Sequence, residues 1–379
     1  LAVQASSDTL DTNNRTFLNA EATALKAEIN RISEQTTWNN LNLLDGTYSG
    51  KLFQVGFKGA ETIDITIDDA STTAIGKFSM VTESHADTLT TGQVSKIAAG
   101  SLTLAGYLGS ASVTLAVDAT TTNTSVKKVA ADVNAVKDST GVEAVAVTKG
   151  KIATVSATGV ISFDLAGNQT NGAAATFYDV TATLAATANL DPLVDAINAH
   201  AANTGITAVI GKTSAAEVIL THATGETIEM KTLSIGGSTN ATMEVFALDK
   251  FGNLTTTADT TLSRAANSGV AVITLGNTAT SGVKARAHVL GTMSLNSIKS
   301  FTVTGDDTTA EEGYFNKLHG YTGHTSAGGT AKLSAVSSIS VADQEHASDA
   351  IAVLDAAIAK IDQQRADLGA ISNRLSSVV

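Results

Sequence analysis

Residues 347–379 read ASDAIAVLDAAIAKIDQQRADLGAISNRLSSVV. Large apolar residues fall at Ile351, Leu354, Ile358, Ile361 and Leu368, with Arg365 in the seam and Leu375 returning to it. Steps of three and four mark a narrow stripe along one side of a helix, the alternation of a coiled coil. Ala, Asp, Gln, Lys and Arg fill the other positions, and most favour helix. Ser348 and Asp349 offer N-cap chemistry at its start. No closing Gly or Pro follows, so the helix is expected to be cut where the chain ends.

Such a stripe needs a partner, and the comparable stretch lies near the other terminus. Leu18, Ala22, Leu25, Ile29 and Ile32 repeat the four-three spacing. Asp11 or Thr12 can cap that helix, and Thr36-Thr37 weakens its far end. Roughly 25 helical residues span about 37 Å. Leu1–Ala5 reads as the last turns of a further helix, and Ser6–Asn14 as a polar turn. The expected fold is α+β and multidomain. An antiparallel rod of terminal helices, built as a coiled coil with a β-hairpin, carries inserted α/β and β-rich outer domains. The hairpin rests on the alternations Phe53, Val55, Phe57 and Ile63, Ile65, Ile67 about Lys58-Gly59. Trp38, Leu41, Leu43 and Leu44 form an apolar knot closed by Asp45-Gly46, and Trp38 is expected in the core.

Four segments, in order, resemble bacterial flagellin: LAVQASSDT, LKAEINRISEQTTWNNLNLLDG, FQVGFKGAETIDITI and LDAAIAKIDQQRADLGAISNRLSS. They cover about 70 residues at one end and about 33 at the other. The resemblance implies a fragment lacking the outermost terminal helices. It also implies a filament subunit that leaves the cell largely unfolded through a flagellar export channel.

Composition narrows the alternatives. The 379 residues, 43% hydrophobic and 4% aromatic, suffice for two to four domains with thin cores of small residues. A net charge of −12 argues against nucleic acid or an anionic membrane as partner. No window of about 18 apolar residues suggests a membrane span. With no cysteine, neither disulfides nor thiolate metal sites are possible.

From Asp68 the texture turns to Thr, Ala, Ser and Gly. Residues 1–70 with 336–379 are assigned to the helical rod, 71–240 to an inserted α+β domain, and 241–335 to a β-rich outer segment. The inserted domain holds a repeat. VKKVAADVNAVKDSTGVEAVAV (126–147) aligns without a gap with LDPLVDAINAHAANTGITAVIG (190–211). Each copy reads as a helix, a Gly C-cap and a strand, behind a further strand-like run. The units thus span about 110–147 and 176–211. The second helix starts at Asp191-Pro192, with the chain's single proline at a first helical position. The unit resembles the IN motif of flagellins and hook-associated proteins, which implies a surface module. Alternation in ATMEVFALD, GVAVITLG, ARAHVLG and IKSFTVTG adds antiparallel strands.

No catalytic constellation emerges, so neither an enzyme nor a cofactor is expected. His319 and His324 with Glu311 and Glu312 read as a polar loop rather than a metal site. Asp68-Asp69 and Asp306-Asp307 lack the alternating spacing of a calcium loop. SIGGSTN (234–240) is a lone glycine-rich hit in a chain with 31 Gly.

Arg365 must reach solvent or a carboxylate. An intramolecular pair with Glu21 or Glu28 and a contact between neighbouring subunits both remain open. The packing residues are Leu18, Leu25, Ile29, Ile32, Ile351, Leu354, Ile358, Ile361, Arg365 and Leu368. By resemblance, Leu1 and Glu21 match positions contacted by an innate immune receptor, a surface that the missing helix would complete. The resemblance also implies other flagellin subunits, an export chaperone and hook-associated proteins as partners, at an extracellular filament. The alternative is a flagellin-like adhesin whose middle region binds an extracellular polysaccharide. A monomer is expected in solution without the outer terminal segments.

Overall fold

Helix formation follows local chemistry. The helices are α1 (Ala2–Ala5), α2 (Thr12–Gln35), α3 (Val126–Asn134), α4 (Lys137–Thr140), α5 (Asp191–Asn198), α6 (Ala201–Thr204) and α7 (Gln344–Val378). The computed structural model describes the chain except residues 57, 60, 83, 90–99, 116–124, 168–175, 212–213, 236–241, 255–269, 275–285, 306–317, 320–327 and 379. Asp11 caps α2, its carboxylate accepting from Asn14 N at 2.7 Å. α7 begins before Ser348: Asp343 Oδ1 accepts from His346 N at 2.8 Å and does the capping. α5 starts at Asp191 with Leu190 at the N-cap, and Asn189 Oδ1 accepts from Asp191 N at 2.9 Å.

The chain divides into two compact units. The first holds Leu1–Ser79, Asn296–Phe301 and Ala331–Val379. Its hairpin pairs Lys51–Gln54 with Thr62–Ile65 in antiparallel register, Phe53 opposite Ile63. Phe57, expected in the same hairpin, lies outside the described residues. Residues 38–44 are not an apolar knot. Thr37–Trp38 pairs with Leu41–Asn42 across Asn39 (φ 49°) and Asn40 (φ 60°). Two successive left-handed Asn residues make the tight primed turn that joins antiparallel strands most closely. Trp38 rides on this small ribbon and is 55% exposed, against the expectation of a core position.

The expected antiparallel coiled coil is not what these helices form. The strap Val336–Val341 runs back along α2: Lys26 bonds Ser337 and Ile339, and Asn19, nearer the start of α2, bonds Val341. α7 therefore begins beside the start of α2, and the two run in the same direction. The order of the apolar clusters agrees. Leu18 and Ala22 pack with Ala347, Ala350, Ile351 and Leu354. Ile29 packs further along with Val353, Ala357 and Ile361.

The second unit holds Met80–Leu295 and Thr302–Thr330. One sheet runs Tyr178–Leu184, Gly159–Ala166, Ile228–Ile235, Arg286–Leu290, His85–Leu89. Another runs Gly328–Thr330, Thr302–Gly305, Gly100–Ala105, Ser110–Leu115. In a third, Val218–His222 lies between Ile206–Ile210 and Glu143–Val155, and Thr242–Leu248 also pairs with Glu143–Val155. Strands from 241–305 thus pair with strands from 85–166, so the β-rich tail is woven into the same sheets. Alternation sends Ile161, Phe163 and Leu165 inward against Val180, Ala182 and Leu184, all buried.

The repeat is structural as well as sequential. Each copy has a helix, a one-turn helix, a left-handed glycine and a strand: α3, α4, Gly141 (φ 73°), Glu143–Val155; then α5, α6, Gly205 (φ 72°), Ile206–Ile210. Asn134 donates to Ala144 O at 2.9 Å and accepts from Ala144 N at 2.8 Å. Asn198 makes the same pair with Ala208, at 2.9 and 2.8 Å. The amide acts as one rung of a strand, fixing each helix against its following strand. Thr140 and Thr204 accept from Val142 N and Ile206 N, both at 3.2 Å. Val129 and Val133, with Leu193 and Ile197, turn inward and are buried. Replacing Asn134 or Asn198 by Ala leaves two main-chain groups unpaired and should cost about 1–3 kcal/mol each. Urea unfolding followed by circular dichroism reads this as a lower midpoint at unchanged slope.

Candidate assembly surface

α2 presents two flanks that the sequence does not tell apart. The inner one carries Leu18, Asn19, Ala22, Lys26, Ile29, Asn30 and Ser33, one helical face at steps of three and four. Its polar members grip main chain. Asn19 Oδ1 accepts from Val341 N at 3.0 Å. Lys26 Nζ donates to Ser337 O at 3.1 Å and Ile339 O at 3.0 Å. Asn30 Oδ1 accepts from Thr72 N at 2.9 Å and Thr72 Oγ1 at 2.8 Å. Ser33 Oγ donates to Leu44 O at 3.2 Å. Irregular backbone beside a helix must find such partners or stay wet.

α7 answers with small residues. Ala347, Ala350, Val353 and Ala357 are buried against Ala2 and Ala5 of α1, Ile75, Val336 and Val341. Lys360 Nζ donates to Ala74 O at 2.9 Å. The buried Lys77 ammonium meets Asp349 at 3.1 Å. Removing Asp349 would take a carboxylate away from that buried charge. Arg15 ties α1 to α2, bonding Ala5 O at 2.9 Å and Ser7 O at 2.7 Å.

Of the residues singled out by the sequence, Leu18, Ile29, Ile351, Leu354 and Ile361 join these clusters. Leu25, Ile32 and Ile358 face outward at 52%, 46% and 60% exposure, beside Phe17 at 73%. Leu368 is partly buried and in neither cluster. Arg365 bonds Asp362 on its own helix at 3.3 Å, both exposed. Glu28 pairs with Arg31 on its own helix, and that hydrogen bond holds its carboxyl below the usual carboxylate range. Glu21 and Leu1 are exposed. The inner residues that spacing missed are Asn19, Lys26, Asn30 and Val353. A polar face at helical period was the available signal for the first three.

Among the described residues no cluster of three or more His, Asp or Glu could hold a metal. No helix there is long and apolar enough to cross a membrane. The side chains of His319, His324, Glu311, Glu312, Asp306 and Asp307 lie outside the described residues.

Comparison with known proteins meets both units. The family model for the bacterial flagellin N-terminal helical region matches residues 1–49. The B-type flagellin of Pseudomonas aeruginosa is 30% identical over 380 residues, covering 100% of this chain and 69% of that protein. The chain belongs to the flagellin family. The flagellin of Salmonella typhimurium is 27% identical over 402 residues, again covering 69% of the relative. A structure of FliC from Burkholderia pseudomallei aligns over 98% of this chain and 90% of its own, at 16% identity and a TM-score of 0.32. The flagellin hook IN motif matches residues 162–224, the second repeat with its flanking strands. Membership makes this flagellin a structural subunit of the flagellar filament.

The two flanks of α2 predict opposite responses. Lys26→Met removes two hydrogen bonds to the strap and should cost about 1–3 kcal/mol. Val353→Ala deletes two buried methyls and should cost roughly 2 kcal/mol. Leu25→Ser should stay within about 0.5 kcal/mol of the parent, as exposed substitutions do. Thermal melts monitored at a helical wavelength separate the three.

Proposed function

We propose that copies of this flagellin assemble through the outward flanks of their terminal helices. What supports the reading is a division of labour within each helix. The inner faces complete a single chain, and the outer faces leave Phe17, Leu25, Ile32 and Ile358 in water. Apolar residues recurring along one exposed flank mark an interaction surface more often than scattered ones do. Arg365, whose partner among the described residues is Asp362 on its own exposed helix face, is offered to a neighbouring subunit. Repeating one heterologous contact without closure builds an open helical polymer, the symmetry of a filament.

In this reading Leu1–Ser79 with Ala331–Val379 forms the rod, and the unit with the two IN-type repeats is displayed on the extracellular side of the filament. The Pro-poor, Cys-free chain suits export in a largely unfolded state. An export chaperone and hook-associated proteins are the further partners. An innate immune receptor meeting Leu1 and Glu21 is an additional one, by family analogy. The protein is not an enzyme.

The test is a pair of charge substitutions, Leu25→Glu and Ile358→Glu, in the full-length protein of a strain lacking its own flagellin. Each should preserve the monomer's melting temperature within about 2–4 °C, the shift of less than 1 kcal/mol in a chain of this size. Each should abolish or shorten filaments in electron micrographs, and motility with them. Normal filaments from both variants would remove the outward flanks from the assembly mechanism.

A further inference from the structure

The two repeats close the same junction with different side chains. In the first, Gly106 follows the strand Gly100–Ala105, and a β-carbon there would stand 1.9 Å from Thr140 O. In the second, Gly167 follows Gly159–Ala166, and its β-carbon would stand 2.4 Å from Thr204 O. Thr140 and Thr204 are equivalent, so the two glycines are as well. Both let a strand end press on the turn that precedes the repeat's last strand. That turn ends in a left-handed glycine with an open face. Over Gly141 lies the Tyr107 ring, 2.3 Å from where a β-carbon would be. Over Gly205 lies the imidazole of His222, its Nε2 2.5 Å from the corresponding point.

His222 ends the strand Val218–His222, opposite Ile206 on one side and Thr148 on the other. It is 6% exposed, and its Nδ1 lies 3.3 Å from Thr224 Oγ1. We propose that His222 is an acid-sensitive wedge, which holds the start of the strand Ile206–Ile210 while neutral and releases it when protonated. In the first repeat the Tyr107 ring covers the equivalent glycine. The inference goes beyond filament assembly and does not depend on it.

The charges facing the ring set the sign. Burial disfavours the imidazolium and depresses its proton affinity. Among the described residues, Glu226 opposes this through its carboxylate, and Lys127 on α3 reinforces it. The main chain of Thr204 and Gly167 also favours the proton, without offsetting burial. The strand Glu143–Val155 offers the buried hydroxyl of Thr148 and no charge at this register. Lys127 meets Oε1 of Glu226 at 3.2 Å, and the other carboxylate oxygen, Oε2, is buried without a hydrogen-bond partner among the described residues. The unfolded chain binds its proton near about pH 6.5. Stability is therefore present above that pH and lost as pH falls through it.

Hydrogen exchange at about pH 7.5 and pH 5, corrected for intrinsic rates, tests this. Protection at Ile206–Ile210 should fall about tenfold or more at the lower pH, while Val142–Val147 stays within about twofold. His222→Tyr should flatten the pH response of the second repeat. A second reading uses the unaltered protein: the His222 ring titration, followed by NMR, must share its midpoint with the loss of protection. Equal loss in both repeats, or a His222 titration that leaves the strand protected, would overturn the proposal.

Discussion

The first unit depends on side-chain groups of α2 reaching the main chain of segments distant in sequence. The strap before α7 has a single 3-10 turn, Val336–Ser338, which leaves some of its peptide groups to find partners elsewhere. Asn19 and Lys26 supply those partners, and Asn30 does the same for the segment leaving the unit at Thr72. A buried peptide group without a partner costs as much as several methyls gain. These polar contacts therefore decide where α7 can begin, and so which way it runs beside α2.

Once the strap is placed, the apolar contacts follow from space. With backbone lying between two helices, close approach favours small residues. Ala347 and Ala350 meet Ala2 and Ala5, and Ala357 packs with Ile75, Val336 and Val353. Of the larger residues, Leu18, Ile29, Ile351, Leu354 and Ile361 pack against these clusters, while Leu25, Ile32 and Ile358 lie on the outer flank. The residues left in water are thus a consequence of internal packing, and they are the material from which a subunit contact can be made.

The second unit uses local devices instead. Asn134 and Asn198 each bind a residue ten positions ahead through both amide groups, joining helix to strand within one module. Gly141 and Gly205 supply the left-handed turn between them. Because these bonds close inside a module, the module could be duplicated and then diverge at its edges. Over the glycine the two copies place side chains from different elements, Tyr107 in the first and His222 in the second.

Much of this was legible in the amino acids. The two repeats were readable because their determinants lie within about twenty residues and keep their spacing. The long helices were readable from period, the start of α2 from its Asp11 cap, and the hairpin at 51–65 from alternation. The family was readable from four ordered segments. What required tertiary structure was the choice of face. The stripe Leu18, Ala22, Leu25, Ile29, Ile32 is continuous on a helical wheel, yet only part of it turns inward. Hydrophobicity alone ranks Leu25 above Lys26, and contact with the strap reverses them. Trp38 shows the same limit, since the Asn-Asn turn beneath it decides its exposure. Periodicity says that a helix has a greasy side; only the neighbouring backbone, with its own hydrogen bonds to complete, decides which residues that side can afford to bury.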